Sequence, residues 1–393
     1  MRRKPPQKIS TPDRQRNKIF SFSKPDYFPV MHGIIPSQTL KSLIAAGRIK
    51  TAAAVGEKQI QPASMDLRLG HRVWRVRASF LPGPTRTVKD RLQDVALHEI
   101  DLTQGAVLET GAVYIAELLE SLDLGPDLLA SANPKSSTGR LDVFTRVITD
   151  HATLFDQIAP AYRGPLFLEI SPRTFPVLVR TGTALAQIRL RTGTARLSDA
   201  ETADLQKVET LVAGADVSIQ SGISVGVDLT GFGTPKLVGY RAKRHTGLVD
   251  MDRIGHYAVA DFWEPIPARK DGELILDPGQ FYILASKEAV CVPPDYAAEM
   301  TPFDPLVGEF RVHYAGFFDP GFGHASAGAT NTRAVLEVRS RDVPFILEDG
   351  QIVGRLVYER MAERPASLYG VAQGSNYQGQ GLKLSKHFQP VGA

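Results

Sequence analysis

One pattern occurs twice in this chain, at a constant offset of 168 residues. Leu108, Gly111, Tyr114 and Ile115 recur as Leu276, Gly279, Tyr282 and Ile283. Pro126-Asp127 recurs as Pro294-Asp295, Leu168-Glu169 as Leu336-Glu337, Pro176 as Pro344 and Gly182 as Gly350. Chance matches drift in register, and these do not. The chain is therefore expected to fold as two similar units. The period is far too long for a solenoid repeat.

The local pattern says what kind of unit. From Ile60 onward, short apolar runs rich in β-branched and aromatic residues alternate with Gly, Pro and Asp turns about every ten residues. Val73-Trp74-Arg75-Val76, Ala112 to Ile115, Leu166 to Ile170 and Val177 to Val179 are examples. Two short helices interrupt this. Pro36-Ser37 leads into a capped helix that stops at Gly47, and Ser198 caps a second stretch running from Leu197 to Gly214, with Leu205, Val208, Leu211 and Val212 as its apolar face. Many short strands, twice, with little helix, predict a mainly β protein of two tandem β-barrel or jelly-roll domains. The expected boundaries are an arm over 1–33, a first repeat over 34–196, a second over 197–364 and a closing tail over 365–393.

Charge is unevenly placed. The 393 residues carry a net +4, yet residues 1–24 hold eight Lys/Arg and one acid, Asp13. The body is thus about −3, and the basic arm reads as a solvated segment, with a polyanion-binding arm as the other reading. No apolar run approaches a membrane span, and no h-region opens the chain. Cys291 is alone, so no intrachain disulfide forms, which suits a reducing cytoplasm. Neither nucleic acid nor membrane is the expected partner.

Five segments carry the chemistry. They are Gln61-Pro62-Ala63-Ser64-Met65-Asp66-Leu67-Arg68-Leu69-Gly70, Lys135-Ser136-Ser137-Thr138-Gly139-Arg140, Ala315-Gly316-Phe317-Phe318-Asp319-Pro320-Gly321-Phe322, the Leu-Glu pairs ending at Glu169 and Glu337, and Tyr369 followed by Asn376-Tyr377-Gln378-Gly379-Gln380. Ser136, Ser137, Arg140 and Lys135 form a compact set of hydroxyls and cations suited to phosphate oxygens, or an ordinary Ser/Thr turn. Glu169 and Glu337 each follow an apolar strand residue. A partly buried carboxyl there has a raised pKa and can shuttle protons, unless an arginine such as Arg173 or Arg341 pairs with it.

The ordered set resembles the dCTP deaminase branch of the trimeric dUTPase-like family, in a double-length form, over about residues 34–390. The resemblance implies a dUTPase-like β fold and hydrolysis of dCTP to dUTP and ammonia. It implies a water activated by Glu without zinc, Mg²⁺ carried by the triphosphate, and a homotrimer in the cytoplasm. The zinc deaminases need Cys-x-x-Cys ligands that one cysteine cannot supply. Glu337, Glu169, Ser136, Arg140 and Ala315 are the expected catalytic set. Lys135, Ser136, Ser137, Arg140, Asp319, Tyr369, Asn376 and Gln380 are expected to bind substrate, although the family usually has Lys at the position of Asn376.

The copies have lost different parts. The first keeps the Ser-Ser-x-x-Arg set, where the second reads Thr301-Pro302-Phe303-Asp304-Pro305. The second keeps Ala315 to Phe322, where the first reads Ile158 to Gly164, with Asp150 or Asp156 as substitutes for the missing acid. A composite site is the expectation, with phosphates held by copy one and the base read by copy two beside Glu337. Glu169 is the rival if first copies alone build the sites. A dUTP pyrophosphatase or bifunctional enzyme, and a nucleotide-binding regulatory module, are the alternatives.

Overall fold

In the computed structural model, the described residues are 32–56, 58–214, 217–302, 310–312, 316–340, 342–370 and 375–390. The predicted 1–33 arm and Ala315 fall outside them, save for residues 32 and 33. So do Phe303, Asp304 and Pro305.

The fold is mainly β. In the first half, one sheet runs from Val143–Thr149 through Arg163–Pro172, Val113–Asp123, Met65–Val76 and Ala184–Thr192 to Leu128–Pro134 and Gln157–Ile158, curving as a barrel-like wall. Arg163–Pro172 is a central strand with neighbours on both sides. Both faces of its second half are buried, so Glu169 has no route to solvent along it. In the second half, Arg333–Ser340 takes the same place, between Phe281–Ala289 and Phe310–Val312.

The 168-residue offset reappears in strand register. Glu169 faces Ile115 and Glu337 faces Ile283; Leu108 faces Val177 and Leu276 faces Phe345. The Glu109 N–H donates to the Tyr114 hydroxyl at 3.1 Å, and the Asp277 N–H to the Tyr282 hydroxyl at 3.0 Å. Gly111 and Gly279 both turn with positive φ, 76° and 69°, a conformation that costs little only without a Cβ. Each then donates its N–H to the strand opposite, at Pro172 and Ser340.

The helices are as expected in place but not in every detail. Ser37–Ala45 has Pro36 at its N-cap and no side-chain cap bond, so Ser37 does not serve as the cap; Gly47 does close the helix. Asp199–Glu209 is capped by Ser198 in a capping box with Glu201. It ends at Thr210, short of Gly214. Val208 is 79% exposed, whereas Leu211 and Val212 are buried beyond the helix end.

The two halves share a core. Tyr240, Met251, Phe262, Trp263, Phe281 and Phe388 from the second half and tail pack with Phe175 and Val177 of the first. Val249–Asp250 adds a parallel strand to Val177–Val179. Arg189, 1% exposed, reaches from the first half into the second, donating to Ala298 O and Phe318 O and pairing with Asp319 and Glu359. Among the described residues, no helix is long and apolar enough to cross a membrane.

Candidate active site

Where the halves meet, a cavity of about 660 Å³ opens, within the range of small-molecule sites. Its walls come from three stretches of chain. The first half supplies Asp66, Lys135, Ser136, Ser137 and Arg140; the second supplies Phe317, Phe318, Asp319 and Glu337; the tail supplies Tyr369, Asn376 and Gln380. Apart from Ala315 and Glu169, every expected site residue therefore lines one cavity in one chain.

Local folding puts each there. Strand Leu128–Pro134 pairs with Ala184–Thr192, and the Lys135 N–H continues that ladder to Leu185 O at 2.9 Å. The chain then turns through Ser136–Gly139, so Ser136 and Ser137 stand at the strand end with Arg140 one turn on. Lys135 ion-pairs with Asp66, the acid of the first motif. The echo of that acid in the second half, Asp228, instead closes its own turn by accepting from Thr230 and Gly231 N–H groups.

Glu337 is 6% exposed on its central strand. Burial pushes its carboxyl up to about 7, against the lowering charge of Arg140; a proton can then be taken or returned near neutral pH. The Arg140 Nε lies 3.8 Å from Glu337 Oε1. Arg140 is itself 3% exposed. Its Nη1 donates to Gln380 Oε1 at 3.1 Å and Lys383 O at 2.9 Å, and its guanidinium carbon lies 3.9 Å from the Tyr377 ring centroid. The expected phosphate fork is thus folded into the wall beside the glutamate. Gln380 is likewise engaged at both ends, since its Nε2 donates to Arg333 O.

Glu169 has a different setting. Arg146 closes on it from the neighbouring strand, with Nη2 and Nε at 2.6 and 3.0 Å, and stacks 3.5 Å over Phe155. Its partner is Arg146 rather than Arg173. The Asp156 carboxyl, raised by burial to about 7, accepts from the Val147 N–H at 2.7 Å in the same cluster. Asp150 accepts from the Val88 N–H. Neither substitute acid lines the large cavity.

Asp319 is buried against Arg189 at 3.2 Å, and desolvation still pushes it up. Phe317 lies under the Arg189 guanidinium at 4.0 Å, while Phe318 stacks edge-on against Phe322 at 5.0 Å. Tyr369 packs on Phe322, and its hydroxyl accepts from the Tyr377 N–H. Asn376 is exposed at the rim, and Lys383 donates from its Nζ to Asn376 O at 2.5 Å.

Sequence reasoning missed Arg189, Tyr377, Lys58 and Lys386. Lys58 and Lys386 line the cavity. Lys386 is lowered by desolvation and then by the charge of Lys135. Four cations, Lys58, Lys135, Arg140 and Lys386, face three acids, two of them pushed toward neutrality by burial. The net field favours a polyanion. Among the described residues, no three His, Cys, Asp or Glu side chains group to hold a metal ion.

The family model described as the 2′-deoxycytidine 5′-triphosphate deaminase N-terminal domain matches residues 31–194, and its C-terminal counterpart matches residues 198–388. A curated dCTP deaminase of Halorubrum lacusprofundi is 33% identical over 135 residues, 34% of this chain and 63% of that one. A "dCTP deaminase, dUMP-forming" of Beutenbergia cavernae is 33% identical over 160 residues, 37% of this chain and 76% of that one. A crystal structure of 2′-deoxycytidine 5′-triphosphate deaminase from Agrobacterium tumefaciens shares 61% identity at a TM-score of 0.81. It covers 84% of this chain and 99% of the other.

Proposed function

The chain belongs to the 2′-deoxycytidine 5′-triphosphate deaminase family, and from that footing we propose that it hydrolyses dCTP to dUTP and ammonia at the inter-repeat cavity. The observation that carries this is Glu337. It is a buried carboxyl poised near neutral pH, beside a fixed arginine, in a cavity whose cations suit a triphosphate. Glu337 takes a proton from water as the oxygen bonds to C4 of cytosine, and passes that proton to N3. The carboxylate then takes the proton of the new C4 hydroxyl and delivers it to the 4-amino group, the C4–N bond breaks, ammonia leaves and the C4 carbonyl forms. Water is the only co-reactant.

The remaining roles follow from charge and position. Ser136, Ser137, Lys135, Lys58 and Lys386 would hold phosphate oxygens, with Lys135 exchanging Asp66 for the anion. Asp319, Phe317 and Tyr369 would border the base and sugar. Ala315 stays in the proposed catalytic set on the resemblance alone. Mg²⁺ would arrive on the triphosphate and neutralise part of its charge. The residues present fit that role, because Lys58, Lys135 and Lys386 line the cavity and would meet the charge that the ion leaves on the triphosphate. The recurring register supports reading the chain as an internal duplication. A cytoplasmic homotrimer, making two rings of three domains, belongs to the same proposal.

The dUMP-forming relative favours one second reading, in which dUTP is hydrolysed further to dUMP and pyrophosphate. Purified protein given dCTP and Mg²⁺ should release ammonia and leave dUTP. Pyrophosphate in equal amount would establish the second reading. Neither product would sink both.

A further inference from the structure

The arginine beside Glu337 is held almost entirely by the C-terminal segment. The Tyr377 ring lies under the guanidinium, and Gln380 Oε1 and Lys383 O accept from Nη1. All three belong to residues 377–383, whereas Arg140 comes from the first half and Glu337 from the second. The segment is seated both within and beyond these contacts. Within it, the Gly379 N–H donates to Thr332 Oγ1 at 3.2 Å and Gln380 Nε2 to Arg333 O at 3.0 Å. Beyond it, Ser385 Oγ donates to Ser137 O at 2.8 Å, and Phe388 packs edge-on against Phe262 and Trp263 at 5.4 and 5.9 Å.

We propose that Tyr377 is a positioning residue, whose ring keeps the Arg140 charge against Glu337. An arginine has many rotamers, and a 3.8 Å approach to one carboxylate oxygen, without a hydrogen bond to it, does not select one. The aromatic face does, because a guanidinium over a ring is confined to one plane and attracted by the ring quadrupole. Charge then follows geometry. Burial disfavours the ionised glutamate and Arg140 favours it, so losing the arginine's placement leaves burial unopposed. The other titratable groups that face this pair are Tyr369, Tyr377 and Lys383. The first two tyrosines are held in their neutral form by burial, and Lys383 is lowered by desolvation and by Arg140 itself. The inference rests on the deaminase reading for its chemistry, but not for its measurement.

The test compares Tyr377→Leu with Tyr377→Phe. The Glu337 carboxyl is followed by ¹³C NMR across pH, assigned through Glu337→Gln, and ammonia release from dCTP is followed in parallel. In Tyr377→Leu the carboxyl should bind its proton about tenfold more tightly, and the acidic limb of kcat should move to higher pH with it. Tyr377→Phe keeps the ring and should titrate with the wild type. Trp263 emission reports whether Phe388 is still seated. Should the Leu variant unseat it, Gln380→Met, which keeps the ring and removes one acceptor, should shift the titration in the same direction. Titration of both Tyr377→Leu and Gln380→Met with the wild type overturns the inference. A wild-type protein that releases no ammonia sinks the deaminase reading instead, and the carboxyl titration still decides this one.

Discussion

The sharpest expectation concerns Glu337→Gln measured as a stability difference against pH. The carboxyl is raised from 4.5 to about 7 by burial. A carboxyl raised on folding stabilises the native state fully below its unfolded pKa, and that contribution is lost as pH climbs through the folded value. Glutamine is locked in the neutral form and does not suffer that loss. A tenfold change in proton affinity is worth about 1.4 kcal/mol, so near pH 8.5 the variant should be about 3.4 kcal/mol more stable than wild type from this source. Near pH 5.5 the unfolded carboxyl is still mostly ionised, and the advantage falls to about 1.4 kcal/mol. The informative quantity is the change between the two pH values, about 2 kcal/mol, because packing differences between Glu and Gln cancel in it. Equilibrium urea unfolding of both proteins at each pH reads it directly. The reasoning fails if the difference in midpoint free energy is the same at both pH values, or shrinks as pH rises. The same variant should lose about 10²–10⁴-fold in deamination, the usual weight of a general acid–base group.

Two further outcomes separate the glutamates and the inter-repeat contacts. Glu169→Gln should leave ammonia release within about twofold of wild type while lowering stability by about 1–3 kcal/mol, because Arg146 loses its charged partner; a loss comparable to that of Glu337→Gln would return Glu169 to the chemistry. Arg189→Met should cost about 3–5 kcal/mol, because Asp319 and Glu359 are left buried without their cation. Its urea midpoint should fall accordingly, and an unchanged midpoint would show that the arginine does not join the halves.

The two glutamates show how far sequence reaches. Both sit after a leucine, on central strands, opposite isoleucines in matching registers. A single sequence contains that much, because strand periodicity and turn glycines are local properties. What distinguishes them lies elsewhere in the chain. Arg146 stands opposite Glu169 on the next strand and closes the first site. Arg140, almost two hundred residues before Glu337, lies 3.8 Å from it on the wall of the inter-repeat cavity.

The complementary losses between the copies pointed to a composite site, and Ser136, Asp319 and Glu337 do share a cavity. Nothing in those motifs signalled Arg189, which is an arginine in an ordinary strand pattern until the second half folds over it. Lys386 was equally silent, since no motif surrounds it, and Tyr377 stood inside the last of the five segments without a role of its own. Repeat, fold class and capping at Ser198 are thus written in short-range spacing and composition, whereas the choice of expected site residues rested on a resemblance carried by short motifs. The direction of the Arg140 fork, the pairing of Glu169 with Arg146 and the seating of the tail were decided only by tertiary structure. They depend on burial and charge brought together across hundreds of residues, and no local period encodes such distances.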